Sequence, residues 1–176
     1  MSTEFKTEDV YMDVYNEDDG VRNMTDSFII GLLDRSERDG TMDMFFFGDT
    51  NPDKKVFLSR VKYESRLMFF TILYKGDIAG FGLVDDIRDD TGQGHFCVFS
   101  EYWNHEASIF ATREVYKRLL AGQFSVITGI VPEDNKFAIQ FCKKTGLEEL
   151  AIIPKRFKKD GQHIKGVMFC AERGVF

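Results

Sequence analysis

Three proton-handling side chains, His95, Glu101 and His105, fall in one short stretch, "HFCVFSEYWNHEAS". An unperturbed imidazole titrates at about pH 6.5, which suits a group that takes a proton from a substrate at neutral pH. A histidine at the start of a strand is equally explained as a solvated side chain, and Glu101 as a structural one. A second chemical centre is Cys142, in "VPEDNKFAIQFCKKTGLEE", residues 131–149. A thiol with an ordinary pKa of about 8.5 can return a proton to a leaving group. To act as a nucleophile it needs a neighbouring base or a helix start. Cys142 falls in mid-helix with no histidine within a turn, and Lys143 points to a different face. It therefore reads as a proton-bearing thiol or a small buried hydrophobe, and not as a nucleophile.

Other chemical patterns are set aside. Cys97, Cys142 and Cys170 are odd in number and far apart, so they read as reduced thiols with no zinc spacing, and no metal is expected. Asp85, Asp86, Asp89 and Asp90 read as a solvated acidic turn, which would attract a cationic amine, and not as a metal site. "GFGLVD", from Gly80, has two of the three glycines of a dinucleotide fingerprint and runs on into strand, so it is rejected as one.

The elements that must position these groups follow from hydrophobic period and punctuation. The first twenty residues are polar and weakly patterned. "TDSFIIGLLDRSERDG" predicts a helix capped by Thr25 or Asp26, with Phe28, Ile29, Leu32 and Leu33 on one stripe and an end near Gly40. "NPDKKVFLSRVKYES" predicts a second, with Asn51 as cap, Pro52 at the first position and Val56, Phe57 and Val61 inward. "LMFFTILY", the turn "KGD" and "IAGFGLVDDI" form a hairpin. "DDTGQG" turns into a third strand, "HFCVFSEYW". A long helix follows, with Ile109, Val115, Leu119 and Leu120 inward and Gly122 past its end. "SVITGIV" is a buried strand. A helix capped by Asn135 and stopped by Gly146 leads to a closing hairpin that turns at Asp160-Gly161. The strand–helix–strand from residue 95 to residue 131 implies a parallel pair joined by a right-handed crossover. The fold class is therefore α/β (α+β), with one mixed sheet in a single domain spanning 1–176.

Bulk composition narrows the function. Eighteen phenylalanines in 176 residues call for a substantial core. Net charge is −6, with fourteen acids against four bases in residues 1–53. An acidic chain is a poor general binder of nucleic acid. No apolar run is long enough for a membrane helix, and the polar, acidic N-terminus does not read as a targeting peptide. A cytoplasmic protein with no nucleic-acid or membrane partner is expected. Lys155, Arg156, Lys158 and Lys159 would keep an edge strand soluble or meet an acidic partner.

This order of elements resembles the GNAT superfamily, the acyl-CoA-dependent N-acetyltransferases, over residues 66–170. That family's later motif has Asn, then Ala three on, an aromatic seven on, Gly and an apolar residue. Here the positions are Asn135, Ala138, Cys142, Gly146 and Leu147. The resemblance implies a mostly antiparallel sheet flanked by helices, whose parallel strands splay to admit the pantetheine arm of acetyl-CoA, here along Phe99, Ser100 and Glu101. It also implies a pyrophosphate held at a helix N-terminus. The family's loop there runs Gln or Arg, two residues, Gly, one residue, Gly or Ala. This chain reads "WNHEAS", with Trp103, Glu106 and Ser108 at those positions. Trp103, Asn104, His105, Glu106, Ala107 and Ser108 would form a divergent cradle, with His105, Ser108 and the amides around Ala107 as donors. Asn135, Ala138 and Cys142 would complete the cofactor side.

The implied activity is acetyl transfer from acetyl-CoA to a small-molecule or peptide amine by direct attack. His95 or Glu101 would be the base, and Cys142 stands where the family has a tyrosine acid. The alternative is a degenerate GNAT-like binding or assembly module. The acceptor amine and the oligomeric state, a dimer included, stay open.

Overall fold

The computed structural model describes residues 5–42, 53–103 and 105–175. One sheet of seven strands runs through it in the order β1-β4-β5-β6-β7-β9-β8. The strands are β1 (Val10–Val14), β4 (Met68–Tyr74), β5 (Asp77–Arg88), β6 (Thr91–Val98), β7 (Val126–Pro132), β8 (Glu148–Lys159) and β9 (Gln162–Glu172). A separate small hairpin pairs β2 (Glu17–Asp18) with β3 (Val21–Arg22). The helices are α1 (Asp26–Arg38), α2 (Lys54–Tyr63), α3 (Glu106–Ala121) and α4 (Lys136–Thr145).

The sheet is antiparallel except for β6 and β7, which run parallel as the crossover through α3 requires. They pair only through Thr91–Val126, Gly92–Ile127 and Gln93–Thr128. Beyond those residues the two strands part.

Each face of the sheet carries its own core. On one side α1 and α2 bury Ile29, Leu32, Leu33, Phe57 and Val61 against Phe69, Phe81, Leu83 and Phe99. Phenylalanine rings step across the strands there: Phe57 to Phe69 at 5.9 Å, Phe69 to Phe81 at 5.9 Å and Phe81 to Phe99 at 6.1 Å. Such tilted and edge-on pairs add about 0.5–1.5 kcal/mol each beyond their buried area. On the other side α3 seats Ala111, Val115, Tyr116, Leu119 and Leu120 against Phe70, Val84, Phe124 and Ile127. Among the described residues, Phe57, Phe69, Phe70, Phe81, Phe99, Phe124 and Phe169 are fully buried, whereas Phe28 and Phe137 are exposed.

Several expectations change in detail. Residues 10–14 are not irregular: "VYMDV" alternates and adds an edge strand to β4. Strand β6 starts at Thr91, four residues before His95, and ends at Val98. Ser100–Tyr102 is a 3-10 turn. Thr25 caps α1 by accepting from the Phe28 N–H at 3.2 Å, but Phe28 itself is 36% exposed. The cap of α2 is Asp53, which accepts from the Lys55 N–H, and Val56 faces solvent. Asn51 and Pro52 lie outside the described residues. Ile109 is half-buried, where full burial was expected. The basic residues of the closing hairpin do sit on an edge strand, β8, which also carries a register shift and a positive φ at Lys155.

Candidate active site

The parting of β6 and β7 dictates what faces the gap. Phe99 donates its N–H to the Ala79 carbonyl at 3.0 Å, which sets the hydrogen-bonding phase of β6 against β5. Residues 95, 97 and 99 therefore turn their backbone groups to β5. Residues 94, 96 and 98 turn theirs towards β7. The Gly94 carbonyl lies 3.4 Å from where a Cβ on Gly129 of β7 would stand, in keeping with that direction. Past the last pair, the backbone N–H and C=O groups of Phe96 and Val98 look into the gap. Trp103 donates its indole N–H to the Val98 carbonyl at 2.9 Å, so its half-exposed ring lies at the end of this opening.

The stretch expected to line the gap, Phe99 to Glu101, is otherwise engaged. Phe99 is fully buried in the α1/α2 core. The Ser100 N–H donates to Asp39 at 3.2 Å. Glu101 pairs with Arg35 of α1 at 2.6 Å, and the Arg35 guanidinium lies 3.8 Å from the Phe99 ring centre. These contacts fasten α1 to the turn after β6. The strand part of the opening is 94–98, because β6 begins and ends four or five residues earlier than "HFCVFSEYW" suggested.

At the α3 N-terminus, His105 is the N-cap residue, and its side chain makes no cap hydrogen bond. Its carbonyl accepts from both the Ser108 N–H at 3.1 Å and the Ser108 hydroxyl at 2.8 Å. Ser108 is 3% exposed, so this expected donor is spent inside the turn. The first-turn amides of Glu106 and Ala107 remain as the anion-facing groups that every helix start presents. His105 and the Glu106 carboxylate are exposed beside them. Asn104 lies outside the described residues.

Asn135 caps α4 by accepting from the Ala138 N–H at 3.1 Å, and Gly146 ends the helix at φ 91°. The motif residues thus have local structural duties. Burial pushes the Cys142 thiol up to about 12. Passing its proton to an ordinary thiolate of pKa about 8.5 would run uphill by about three orders of magnitude. Tyr116, buried and with its ring 4.8 Å from that of Phe96, is raised too, first by burial and then by nearby Cys142.

His95 stands two residues past the last β6–β7 pair, with its side chain on the α1/α2 face. Its Nε2 lies 3.0 Å from Asp85 Oδ1 and 3.1 Å from Gln93 Nε2. Asp85 Oδ2 accepts from Arg60 at 3.2 Å, and Arg60 is held in turn by Glu64 at 2.7 Å. Burial raises the Asp85 carboxyl, but hydrogen bonds and charge from His95 and Arg60 outweigh it and hold the group below its ordinary value. Asp85 is therefore separated from the acidic turn to which the sequence assigned it, and Asp89 and Asp90 alone make that turn. This partner of His95 could not be found by spacing, since it comes from the neighbouring strand.

Among the described residues, no cluster of His, Cys, Asp or Glu has the arrangement to hold a metal ion. No described helix is long and apolar enough to cross a membrane. No family model and no curated protein matches the chain by sequence. Solved structures do match by shape. The spermidine N-acetyltransferase of Vibrio cholerae, in complex with CoA and spermine, superposes with a TM-score of 0.74 at 8% identity, covering 96% of this chain and 98% of the other. A ribosomal-protein-alanine acetyltransferase from Vibrio fischeri gives 0.70 at 12% identity, covering 99% and 97%. A microcin self-immunity acetyltransferase in complex with acetyl-CoA and AMP gives 0.65 at 12%, covering 84% and 86%. With its seven-stranded mixed sheet, its parallel pair that parts after three residues and helices on both faces, the chain has the fold of the GNAT acetyltransferases.

Proposed function

We propose that this chain is an acyl-CoA-dependent N-acyltransferase that moves an acetyl group from acetyl-CoA to an amine by direct attack. The observation that carries the reading is the divergence of β6 and β7 after Gln93 and Thr128, with the backbone groups of Phe96 and Val98 directed into it. A donor with two amide groups along its arm meets matching N–H and C=O groups there. Acetyl-CoA supplies a thioester, whose carbonyl is open to attack by a neutral amine. A β6 backbone N–H polarises that carbonyl, and the first-turn amides of α3 meet the pyrophosphate. His95 takes the proton from the attacking amine. Cys142 and Tyr116 hold their own protons too tightly to return one to the departing thiolate, which takes it from water.

Some of the matching structures are described as acting on spermidine or on ribosomal protein. We infer for this chain an amine acceptor, small or peptidic, met in the cytoplasm. A second reading, a binding module without turnover, draws on the glycine-free start of α3 and the engagement of Ser108. Calorimetric titration with CoA separates them. Binding with modest affinity supports an enzyme, and no binding at millimolar CoA overturns it.

A further inference from the structure

Strand β6 carries a carbonyl at the mouth of the opening that β7 does not serve. The last β6–β7 pair is Gln93 with Thr128, and Val98 lies further along the strand. The hydrogen-bonding phase set by Phe99 on Ala79 turns the Val98 carbonyl away from β5 and into the opening. A strand carbonyl that has lost its partner strand takes a donor elsewhere. Here the donor is the indole N–H of Trp103, at 2.9 Å. The backbone beneath that ring is tied down. Ser100–Tyr102 is a 3-10 turn, and the Trp103 N–H donates to the Ser100 carbonyl at 3.1 Å. The Ser100 N–H donates to Asp39 at 3.2 Å, and Glu101 pairs with Arg35 at 2.6 Å. The side chain is what remains to move. It is 40% exposed and belongs to neither hydrophobic core, so it can swing outwards without opening one.

We propose that Trp103 is a gate on donor binding: its indole holds the Val98 carbonyl and must leave it before the pantetheine arm of an acyl-CoA can bond there. The proposal rests on the reading of the β6–β7 opening as the donor site. Position decides which part of the arm is concerned. Val98 is the last residue of β6, at the end that leads through the turn to the α3 N-terminus, while Phe96 lies deeper, towards the point where the strands join. The arm's amide nearer the pyrophosphate therefore meets Val98. Its N–H takes over the carbonyl and the indole N–H passes to water, so one hydrogen bond is exchanged for another. A carbonyl oxygen can accept twice. An indole whose nitrogen lies 2.9 Å from it, however, fills the approach from the opening. The apparent affinity for the donor falls in proportion to the fraction of chains whose gate is open. A hydrogen bond of ordinary net strength leaves about a third to a tenth of them open.

Two measurements test the gate. Trp103 is the one tryptophan of the chain, so a single indole N–H resonance in the NMR spectrum reports on it. Before CoA is added, that proton should be protected from solvent exchange, and saturation with CoA should remove the protection. An indole N–H that exchanges as freely as a solvated one before CoA is added, or that stays protected in the CoA complex, overturns the proposal. The second measurement is affinity, by calorimetry with CoA and by stopped-flow with fluorescent etheno-CoA. Trp103→Phe keeps a ring and loses the N–H. It should bind about three- to tenfold more tightly, with the gain in the association rate and the dissociation rate unchanged, because the side chain reorients far faster than the ligand arrives. Trp103→Ala, which removes the ring as well, should bind no more weakly than the wild type. Weaker binding by either variant would make the ring a contact to the ligand, and overturns the gate. If the wild type and Trp103→Phe bind equally, the donor reading stands and the gate alone falls. If neither binds CoA, the donor reading fails and the gate falls with it.

Discussion

Single side chains carry two checks on the site. Trp103 is the one tryptophan in the chain, and its indole N–H is bonded to the Val98 carbonyl at the end of the β6–β7 opening. A pantetheine amide entering that opening competes for the same carbonyl. Adding CoA should therefore shift or quench the intrinsic fluorescence, with the same midpoint as the calorimetric titration. Heat of binding without any change in emission would place the ligand elsewhere. Cys142 gives the second check. With a thiol pushed to about 12, its thiolate fraction at pH 8 is on the order of one in ten thousand. Cys142→Ala should keep activity within about threefold, since the thiol holds its proton too tightly to return it to the leaving group. Intact-mass analysis after mixing with acetyl-CoA should show no stable acetyl adduct. An adduct that Cys142→Ala abolishes together with turnover would establish a covalent route.

At the level of elements, the strand pair β5–β6 explains the glycines of "GFG". A Cβ on Gly80 would stand 2.1 Å from the Cys97 carbonyl, and one on Gly82 would meet both the Phe70 ring and the His95 carbonyl at under 3.0 Å. The tight approach belongs to the strand that carries His95, so these glycines set where that imidazole stands. Gly80→Ala should destabilise by about 1–3 kcal/mol. In a chain of this size that lowers Tm by about 2–4 °C per kcal/mol. Gly129→Ala, whose added carbon meets only the Gly94 carbonyl at 3.4 Å, should unfold close to wild type. Scanning calorimetry of the two variants makes the comparison; equal Tm values would show that β5 and β6 adjust without strain.

For the whole molecule, the Glu64–Arg60–Asp85–His95 line ties helix α2 to the centre of the sheet, and it couples stability to acid. Asp85 is held below its ordinary value by His95 and Arg60 despite the opposing effect of burial. A carboxylate whose folded pKa is depressed stabilises the fold above the unfolded value of about 3.9, and that contribution is lost as pH falls through the folded pKa. Urea midpoints measured from pH 6 down to pH 3 should fall for the wild type, and should fall less steeply for Asp85→Asn, which starts lower. Parallel slopes would assign the acid sensitivity to other carboxylates. Much of this architecture is legible in sequence, because the information is local. The period of "SVITGIV", the Asn135 cap, the Gly146 stop and the turn at Asp160-Gly161 each act within a few residues, and the crossover rule then makes β6 and β7 parallel. The start of β6 is not legible in sequence because "DDTGQG" has turn chemistry throughout, yet only Asp89 and Asp90 turn; Gly92 and Gly94 serve close packing against Val84, Phe124 and Ile127. Strand β1 is not distinctive in sequence because five alternating residues in an acidic run bury too little until β4 lies beside them. Where β6 and β7 part, which carbonyl Trp103 caps, and that Asp85 leaves its acidic neighbours to face His95 were decided by tertiary structure alone. Each depends on the register between strands distant in sequence, which no spacing along one segment encodes.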